Sequence, residues 1–555
     1  MRFIVSNKFM KEFAWIIPSL IIGLIFSYLI VPGLLLNPQN INIFSRLDPL
    51  HSYIGWGFYR HSPWEWPVTF IQNPVFPIGT SIVFTDSLPI VCIILKIFTN
   101  YLPDPFVWHG IVVVINSSLM FYSGSLFLRV LRPNIILSII GGLFTILSSI
   151  FISRIAGHCP LTTQWLIIFQ ILLILKPEIN IKRDIVYQLV LLFISAGTHP
   201  YFMAMLTPLS FALCWKFYAR QKYTLKYGIL NSFIFILFVA LSFYFFGGFA
   251  NYSTGSKVGF GAYGSNLLTF IIAQFGLISS SLIQDTRGLN EGSAYLGIGI
   301  IIPLIFLIIA SPYGTIRFFK YERLLFIIII FLFFLFSLSN IIRIGPYSIT
   351  IFDLQDNSIL SKVFGIFRAS GRFIWPIFYM VQFLTLIKLY DYLENKKVIR
   401  TILFLVLIIY QILDNWPMIS ERRYEWRTNT SNNLLSSFES DVWYNLKAYN
   451  IKHIFALDNI TYEQDKWLLM RMALIALKNN VTFNKTPLAR ENGKSVLYNQ
   501  KQNLNFKNSI LLDNTLYIGK NKKGLYYPPE FCSILDNYIM CSKNPSIIAK
   551  GSPIP

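Results

Sequence analysis

Long apolar runs recur along most of this chain, and they limit the folds that it can adopt. Hydrophobic residues occupy 54% of the 555 positions and charged residues only 13%, whereas soluble domains carry about 25% charged residues. Runs of this length and composition are typical of helices that cross a lipid bilayer. We predict an α-helical polytopic membrane protein with about eleven spans, at 13–32, 105–127, 134–153, 161–176, 185–197, 200–216, 227–247, 295–311, 323–339, 373–391 and 398–414.

The basic residues predict the orientation of these spans. The formal net charge is +21, and Lys and Arg cluster in short links such as 176–183, 216–226 and 388–400. The positive-inside rule puts all of these links and the N-terminus in the cytoplasm, provided that the run 87–99 lies in the membrane interface without crossing. We therefore predict a multi-pass protein of the bacterial inner membrane. No basic stripe or motif indicates nucleic-acid binding.

The longer and more unusual loops all fall on the outward side in this scheme. The segment from 415 onward has the composition of a soluble domain, with predicted strands at 451–457, 495–498 and 510–518 and an amphipathic helix at 463–478. We predict a membrane domain over 1–414 and a periplasmic α/β domain over 415–555. In that compartment Cys532 and Cys541 could pair as a disulfide, which the sequence leaves open.

The first outward loop carries a dense set of titratable residues among aromatic ones. Asp48 precedes Pro49, at which a helix is predicted to begin. A carboxylate there could be a general base with a raised pKa, or could bind a divalent cation; the alternative is a helix N-cap. Asp86, in F-T-D-S-L-P, is a second candidate, either as a metal ligand or as a residue that binds substrate hydroxyls, with N-capping of the helix after it as the alternative. His51, Arg60 and His61 are candidate substrate-binding residues.

Two outward corners combine arginine and histidine at the membrane edge. S-R-I-A-G-H-C-P contains Arg154 and His158, and T-H-P-Y contains His199. Ionisable groups at this depth are costly and tend to be functional, although a single histidine is more often structural. We predict that these three residues bind substrate.

The later outward loops add an acid and an arginine pair. Glu291 stands at the mouth of the span at 295–311, and F-R-A-S-G-R places Arg368 and Arg372 four residues apart at a helix entrance. Two outward arginines at this spacing suit an anion such as phosphate; the alternative is anchoring to lipid headgroups. We predict that all three residues bind substrate. The glycine-rich segment G-F-G-A-Y-G-S-N before Glu291 is not a Walker loop, because no G-K-[ST] follows.

The motifs D-P-L-H-x-Y-I-G-W-x-F-Y-R-H-S-P-W, F-T-D-S-x-P, the G-H corner and F-R-A-S-G-R-x-x-W-P together resemble a bacterial domain-of-unknown-function family of GT-C-like membrane proteins. The layout resembles GT-C glycosyltransferases more broadly, over about 40–390. The resemblance implies a GT-C-like fold with interfacial helices in the first outward loop, and a polyprenyl-phosphate sugar as donor. It makes Asp48 the counterpart of the catalytic acid, and Arg368 or Arg372 that of the arginine that binds the carrier phosphate. The chain has a single acid at 48 and not the paired acidic motif of protein mannosyltransferases. It also lacks the W-W-D-Y-G-like motif of oligosaccharyltransferases, which argues against asparagine-linked transfer.

These features predict an outward-facing, inverting glycosyltransferase that modifies a glycan, lipid or protein acceptor of the cell envelope. Asp48 is the expected base or a ligand, with Asp86, of Mg²⁺ or Mn²⁺. The alternative is a transporter or flippase for a lipid-linked glycan, which would carry charges deep within its spans and a repeated architecture. Charges at the rims of the spans and the lack of a sequence repeat favour the enzyme. A scaffold or receptor that uses its C-terminal tail is a third class.

Overall fold

A computed structural model describes residues 2–44, 47–155, 157–251, 260–273, 289–310, 320–352, 364–426, 434–490, 493–521 and 527–554. The described chain is mostly helical, with a small sheet near its C-terminus. Its α-helices include Arg2–Ile30, Pro32–Leu36, Leu47–His61, Pro89–Ile97, His109–Leu131, Ile135–Ile146, Ser149–Ile155, Trp165–Leu175, Ile181–Ala196, Pro200–Ala219, Leu225–Phe245, Leu289–Gly292, Ile298–Ala310, Leu324–Leu338, Trp375–Tyr392, Lys397–Glu425, Lys466–Asn479, Gly493–Lys507 and Pro545–Ile548.

Several of these helices are long and apolar enough to cross a membrane, as in a multi-pass membrane protein. The described residues hold six such helices: His109–Leu131, Pro200–Ala219, Leu225–Phe245, Tyr321–Leu338, Ser370–Tyr392 and Lys397–Glu425. A seventh span results if Ile135–Ile146 and Ser149–Ile155, which bend by 47° at their junction, cross together. All eleven predicted runs fall on helices, but eleven spans remain a prediction, since helices such as Ile298–Ala310 are short.

The residues group into two compact units, each built from three stretches of sequence. Unit 1 contains Met1–Leu36, His109–Ser242 and Gly255–Arg427, and unit 2 contains Asn37–Trp108, Phe243–Thr254 and Thr428–Pro555. The first outward loop of the sequence scheme therefore belongs to the same unit as the C-terminal segment. The domain boundary at 414/415 remains a prediction.

Small residues let the helices of unit 1 approach each other closely. A Cβ added at Gly124 would lie 2.6 Å from the carbonyl oxygen of Gly141, and one added at Gly141 would lie 2.7 Å from that of Gly124. These two glycines bring helices His109–Leu131 and Ile135–Ile146 into backbone contact. Packing through small residues is the usual mode of association for helices in lipid, where burial of apolar surface supplies little driving force.

A buried polar network then fixes three further helix ends in unit 1. Gln164, directly before the helix Trp165–Leu175, donates from Nε2 to the carbonyl oxygen of Ile150 at 2.9 Å. Its Oε1 accepts a hydrogen bond from the hydroxyl of Tyr379 at 2.6 Å. The helix containing Ile150 carries Arg154 in its last turn, and the helix containing Tyr379 follows Arg372. Gln164 therefore fixes the elements that present the two arginines.

The C-terminal part of unit 2 is a six-stranded mixed sheet in the order β10-β8-β9-β7-β5-β6. Strands β5, β6 and β7 pair in parallel, and the other pairs are antiparallel. The helices Lys466–Asn479 and Gly493–Lys507 connect the parallel strands. The sheet strands are β5 His453–Ala456, β6 Thr482–Phe483, β7 Thr515–Lys520, β8 Cys532–Leu535, β9 Tyr538–Cys541 and β10 Ser552–Pro553; two short hairpins elsewhere pair β1 Phe70–Ile71 with β2 Thr80–Ser81 and β3 Ile341–Ile344 with β4 Tyr347–Thr350.

One predicted strand of this domain is wrong. The run 495–498 was expected to be extended, but it lies in the helix Gly493–Lys507. The buried residues of that helix, Ser495, Gln502, Asn503 and Phe506, recur at helical spacing. A four-residue apolar run cannot by itself distinguish a strand from one turn of a helix. The other two predicted strands and the predicted helix overlap observed elements of the same type.

The first loop of unit 2 contains the helix Leu47–His61 and the short helix Pro89–Ile97. The first begins at Leu47 and not at Pro49 as predicted, so Asp48 lies within its first turn. The second has 9 residues, whereas a span needs about 20. The helix in the run 87–99 is therefore too short to cross a bilayer, whereas its position in the membrane interface and the orientation of the spans remain predictions.

Cys532 and Cys541 form a disulfide across β8 and β9, where they are directly opposite. Replacing both by Ser should lower the free energy of unfolding by about 2–3 kcal/mol, because a closed loop of this size restricts the unfolded chain. We expect chemical denaturation of the purified protein to show this loss. Reductant should destabilise the wild type to the same extent and leave the double variant unchanged. Equal stability of all these samples would contradict the expectation.

Candidate functional site

A buried ionic centre in unit 1 is formed by four of the predicted site residues. The carboxylate oxygen Oε2 of Glu291 accepts hydrogen bonds from Arg372 Nε at 2.7 Å and from Arg154 Nη1 at 3.0 Å. The other oxygen, Oε1, lies 3.8 Å from Nε2 of His158. The side chains of Arg154 and Arg372 are only 7% and 8% exposed, so water does little to screen this centre. We call these four residues the Glu291 centre.

Two glycines let the backbone bring Glu291 and Arg372 together. A Cβ at Gly371 would lie 2.5 Å from Cα of Gly292, so only glycine allows this approach. The hydroxyl of Ser265 lies 3.1 Å from the carbonyl oxygens of both Gly292 and Gly371 and bridges the two segments. The hydroxyl of Thr269 donates to the Gly292 carbonyl at 2.9 Å. The position of the Glu291 centre therefore depends on backbone packing as well as on its charges.

The charge balance of the Glu291 centre is positive. Burial acts to raise the pKa of Glu291, but the guanidinium groups of Arg154 and Arg372, followed by His158, hold that pKa well below its usual value. Glu291 is therefore ionised and cannot serve as a proton acceptor near neutral pH. One carboxylate against two guanidinium groups leaves a net charge of about +1. This arrangement can hold the arginines rigidly and attract an anion.

Aromatic side chains flank the two arginines of the centre. The Arg372 guanidinium lies 4.5 Å from the centroid of the Tyr201 ring, and that of Arg154 lies 5.6 Å from the Trp375 ring. Both distances permit a cation–π interaction. Tyr201 also accepts a hydrogen bond at its hydroxyl from the backbone of Ala369 at 2.8 Å, which ties it to the segment that carries Arg368 and Arg372.

The two remaining candidate site residues of unit 1, His199 and Arg368, have different surroundings. His199 caps the helix Pro200–Ala219, with Nδ1 accepting from the backbone N–H of Tyr201 at 3.3 Å. Arg368 is exposed, and it forms no ion pair with any carboxylate among the residues that the structure describes. Arg368 and Arg372 therefore differ: Arg372 is neutralised in part by Glu291, while Arg368 faces solvent. Of the glycine-rich segment G-F-G-A-Y-G-S-N, the structure describes residues 260–266, and Gly259 lies outside the described residues.

Unit 2 contains a second cluster, formed by two carboxylates of the first loop. Oxygens of Asp48 and Asp86 lie within 4.8 Å of one another. Two oxygens that bind one Mg²⁺ or Ca²⁺ ion are each about 2.0–2.6 Å from it, so a single divalent cation could bridge this pair. We call these two residues the acid pair.

The predicted N-cap role of Asp86 is wrong. The residue before the helix Pro89–Ile97 is Leu88, which makes no side-chain cap. Asp86 instead ends a 3-10 turn, Ile82–Thr85, in the left-handed conformation with φ 55°. A residue other than glycine in this region is uncommon, and such strain clusters at functional sites. The N-cap alternative no longer accounts for Asp86.

Close packing fixes the distance between the two acids. A Cβ at Gly55 on the helix Leu47–His61 would collide with Thr85 and lie 2.9 Å from Ser87 Oγ. The Ser87 hydroxyl donates to the carbonyl oxygen of Ser52 at 2.9 Å. The helix that carries Asp48 and the turn that carries Asp86 therefore form one rigid element.

The other three predicted residues of this loop lie further along the same helix. His51 is buried one turn after Asp48. Arg60 donates to the carbonyl oxygens of Pro103, Leu102 and Thr99 at 2.6, 2.7 and 3.1 Å. These contacts give Arg60 a structural function, because they satisfy three backbone carbonyl oxygens in the segment that follows the helix Pro89–Ile97. His61 lies 3.2 Å from Asp104.

A family model described as a domain of unknown function, DUF6311, matches residues 20–416. The chain belongs to the DUF6311 family. No curated protein matches the sequence. The DUF6311 match contains the acid pair and the whole Glu291 centre, and it ends before the C-terminal sheet.

Sequence reasoning on this DUF6311 protein missed two residues that organise these clusters. Ser265 bridges the backbone beneath Glu291 and Arg372, but no pattern in G-S-N distinguishes it from other loop serines. Asp104 pairs with Arg60 at 3.7 Å and with His61. Its place in P-D-P, at the end of the titratable loop, is a signal that could have identified it.

Glu291→Gln should destabilise the protein by about 3–5 kcal/mol, because it leaves two buried guanidinium groups without a counter-charge. Thermal and chemical unfolding of the purified protein in detergent measure the loss. The exposed pair Arg132–Asp391 supplies the control: Asp391→Asn should change stability by less than about 1 kcal/mol. Similar losses for the two variants would contradict a buried ionic centre.

The same centre predicts a pH dependence. Since the pKa of Glu291 is lower in the folded protein than its ordinary value of 4.5, its contribution to stability is complete above about pH 4.5. That contribution is lost as the pH falls from there through the folded-state pKa. The difference in stability between wild type and Glu291→Gln should therefore be constant from pH 5 to 8 and shrink below pH 4. A constant difference down to pH 3 would contradict the assignment.

Proposed function

We propose that this protein is an outward-facing glycosyltransferase of the GT-C type, which uses a polyprenyl-phosphate sugar as donor. The observation that carries the proposal is the acid pair. Two carboxylates with oxygens within 4.8 Å lie in a polar, aromatic loop, and close packing holds them in place although like charges repel. Such an arrangement is typical of sites that move protons or bind a divalent cation.

The proposed reaction is a displacement at the anomeric carbon of the donor sugar. Asp48 accepts the proton of an acceptor hydroxyl while the oxygen of that hydroxyl attacks the anomeric carbon. A new C–O bond forms, the bond from the anomeric carbon to the carrier phosphate breaks, and the electron pair leaves on the phosphate oxygen. The configuration at the anomeric carbon inverts. The acceptor is a glycan, lipid or protein of the cell envelope.

The acid pair also fits a divalent cation, because both of its members offer hard oxygen ligands. Asp48 and Asp86 would hold Mg²⁺ or Mn²⁺, with further ligands supplied by water or substrate. A bound cation would supply positive charge that favours the ionised form of an acceptor hydroxyl.

The carrier phosphate needs a positive charge that the protein has not already neutralised. We propose that Arg368 supplies it, because Arg368 is exposed whereas Arg372 bonds to Glu291. Arg372 and Arg154 add the residual positive charge of the Glu291 centre. His51, His158, His199 and Glu291 are assigned to orienting sugar hydroxyls.

The finer architecture belongs to the same proposal. It has about eleven spans, a cytoplasmic N-terminus and a C-terminal domain in the periplasm of a bacterial inner-membrane protein. The disulfide between Cys532 and Cys541 supports a periplasmic C-terminal domain, since such bonds persist in oxidising compartments.

The alternative is a transporter or flippase for a lipid-linked glycan. It is favoured by the Glu291 centre itself, because buried ion pairs inside helical membrane units often mark a substrate pathway. Reconstituted liposomes distinguish the two functions. A transporter moves a labelled lipid-linked sugar between leaflets and leaves its glycosidic bond intact, whereas the enzyme releases polyprenyl phosphate.

Asp48→Asn should reduce transfer by about 10²–10⁴-fold, because it removes the proton acceptor and keeps the shape of the side chain. The assay presents polyprenyl-phosphate hexoses and pentoses to the reconstituted protein and measures release of polyprenyl phosphate. Glu65→Gln, an exposed acid of the same loop, is the matched control and should retain full activity. Full activity of Asp48→Asn would exclude the proposed role of Asp48.

Arg368→Ala should weaken binding of a polyprenyl phosphate by about tenfold, or roughly 1.4 kcal/mol, and leave the melting temperature unchanged. Arg372→Ala should instead lower the melting temperature, because it leaves Glu291 with one arginine fewer. Binding is measured with a short-chain polyprenyl phosphate and each purified variant. If Arg368→Ala binds the polyprenyl phosphate as tightly as the wild type does, Arg368 does not bind the carrier phosphate.

A further inference from the structure

Unit 2 contains a cavity that neither the acid pair nor the Glu291 centre uses. Its volume is about 350 Å³, within the range of roughly 300–1,000 Å³ that small-molecule sites occupy. One wall comes from the helix Leu47–His61 and the segment 104–106, and the other from the end of the helix Lys466–Asn479. The cavity therefore joins the first loop to the C-terminal sheet domain.

The walls of this cavity carry both apolar and polar side chains and are firmly held. Trp56, Phe106 and Leu474 are buried within these walls. The indole N–H of Trp56 donates to the carbonyl oxygen of Phe106 at 3.1 Å, which locks two parts of the wall together. A Cβ added at Gly57 would collide with Leu477, so this glycine sets the approach of the two helices. The cavity is preformed, which lowers the entropic cost of binding a ligand.

Titratable groups stand at the edge of the cavity, and all but one have a counter-charge. Asp104 pairs with Arg60 at 3.7 Å and with His61 at 3.2 Å. Lys478 also lines the cavity, and among the described residues no carboxylate forms an ion pair with it. Its ammonium lies 5.5 Å from the Tyr444 ring, and burial lowers the pKa of Lys478. Lys478 is nevertheless exposed, so its ammonium is accessible to an anion held in the cavity, which would stabilise it.

We infer that this cavity binds a small hydroxylated ring that carries a carboxylate or a phosphate, such as a sugar acid or a sugar phosphate. The ring lies against the partly exposed side chains of Ile41, Pro105 and Leu477, and the anionic group pairs with Lys478. His61, Asp104 and Asn480 at the edge of the cavity offer hydrogen bonds to hydroxyl groups. This site is separate from the acid pair and does not depend on the proposed transfer reaction.

Isothermal titration calorimetry on the full-length protein in detergent tests the inference with three probes. Glucuronate and glucose 6-phosphate carry the two anionic groups, and glucose is the neutral match. At least one anionic probe should bind ten times or more tighter than glucose, and the tighter of the two identifies the preferred group. Glucose binding as tightly as both anions, or no binding by either anion, would overturn the inference.

Variants locate the binding within the molecule. Lys478→Met keeps the length of the side chain and removes its charge, so it should weaken binding of the anionic probe at least tenfold and leave glucose unaffected. Lys501→Ala, on the exposed face of the helix Gly493–Lys507, is the matched control and should bind as the wild type does. Unaltered anion binding by a Lys478→Met protein with wild-type melting temperature would refute the site.

A third variant separates this inference from the proposed function. Asp48→Asn should bind the anionic probe with wild-type affinity, because Asp48 does not line the cavity. Loss of probe binding in Asp48→Asn would show that the probe occupies the acid-pair site, and would overturn the inference. Retained binding by an Asp48→Asn protein without transferase activity supports the cavity site alone.

Discussion

A carboxylate that is buried away from water needs positive charge nearby to be stable. In unit 1 this positive charge comes from two other stretches of the chain, so that three separate stretches meet at Glu291. Glu291 lies on a short helix before Ile298–Ala310, Arg154 at the end of a bent helix pair, and Arg372 at the entrance of another helix. None of the three side chains is stable at this depth alone. Gln164 and Tyr379 fix the helices that present the arginines, and Ser265 fixes the backbone beneath the acid. The geometry of this unit is therefore set by polar contacts as much as by its apolar surface.

The two polar clusters have opposite character, and this limits their possible roles. In the Glu291 centre, positive charge exceeds negative charge, the carboxylate is ionised, and none of the three ionic side chains is suited to accept a proton near neutral pH. In the acid pair, negative charge is concentrated, and Asp86 is held in an uncommon backbone conformation. Proton transfer and cation binding suit the second cluster, and anion recognition suits the first.

The sequence predicted these residues better than it predicted their partners. Apolar runs located the helices, and the cost of ionisable groups at the membrane edge pointed to Arg154 and His158. Glu291 was identified by its place at the mouth of a predicted span, and Arg372 by its spacing from Arg368. The pairing of Arg372 with Glu291 could not be predicted, because F-R-A-S-G-R looks the same whether its arginines bind substrate or an internal acid. The N-cap alternative for Asp86 arose because a following proline is typical of helix starts, and the positive φ of Asp86 cannot be read from the sequence. The prediction of a strand at 495–498 was wrong because so short an apolar run fits both the two-residue repeat of a strand and the 3.6-residue repeat of a helix.

Unit 2 is discontinuous along the chain, and this has a consequence for how the protein is made. The chain leaves its first segment at Trp108 and supplies the last one only from Thr428. At about 5–20 residues per second, that interval of synthesis lasts on the order of tens of seconds. Throughout it, the aromatic loop around Trp56 has been made but has no helix Lys466–Asn479 to cover it. The nascent protein at this stage exposes apolar side chains that are buried in the finished fold, and a chaperone or the bilayer itself must cover them until translation ends.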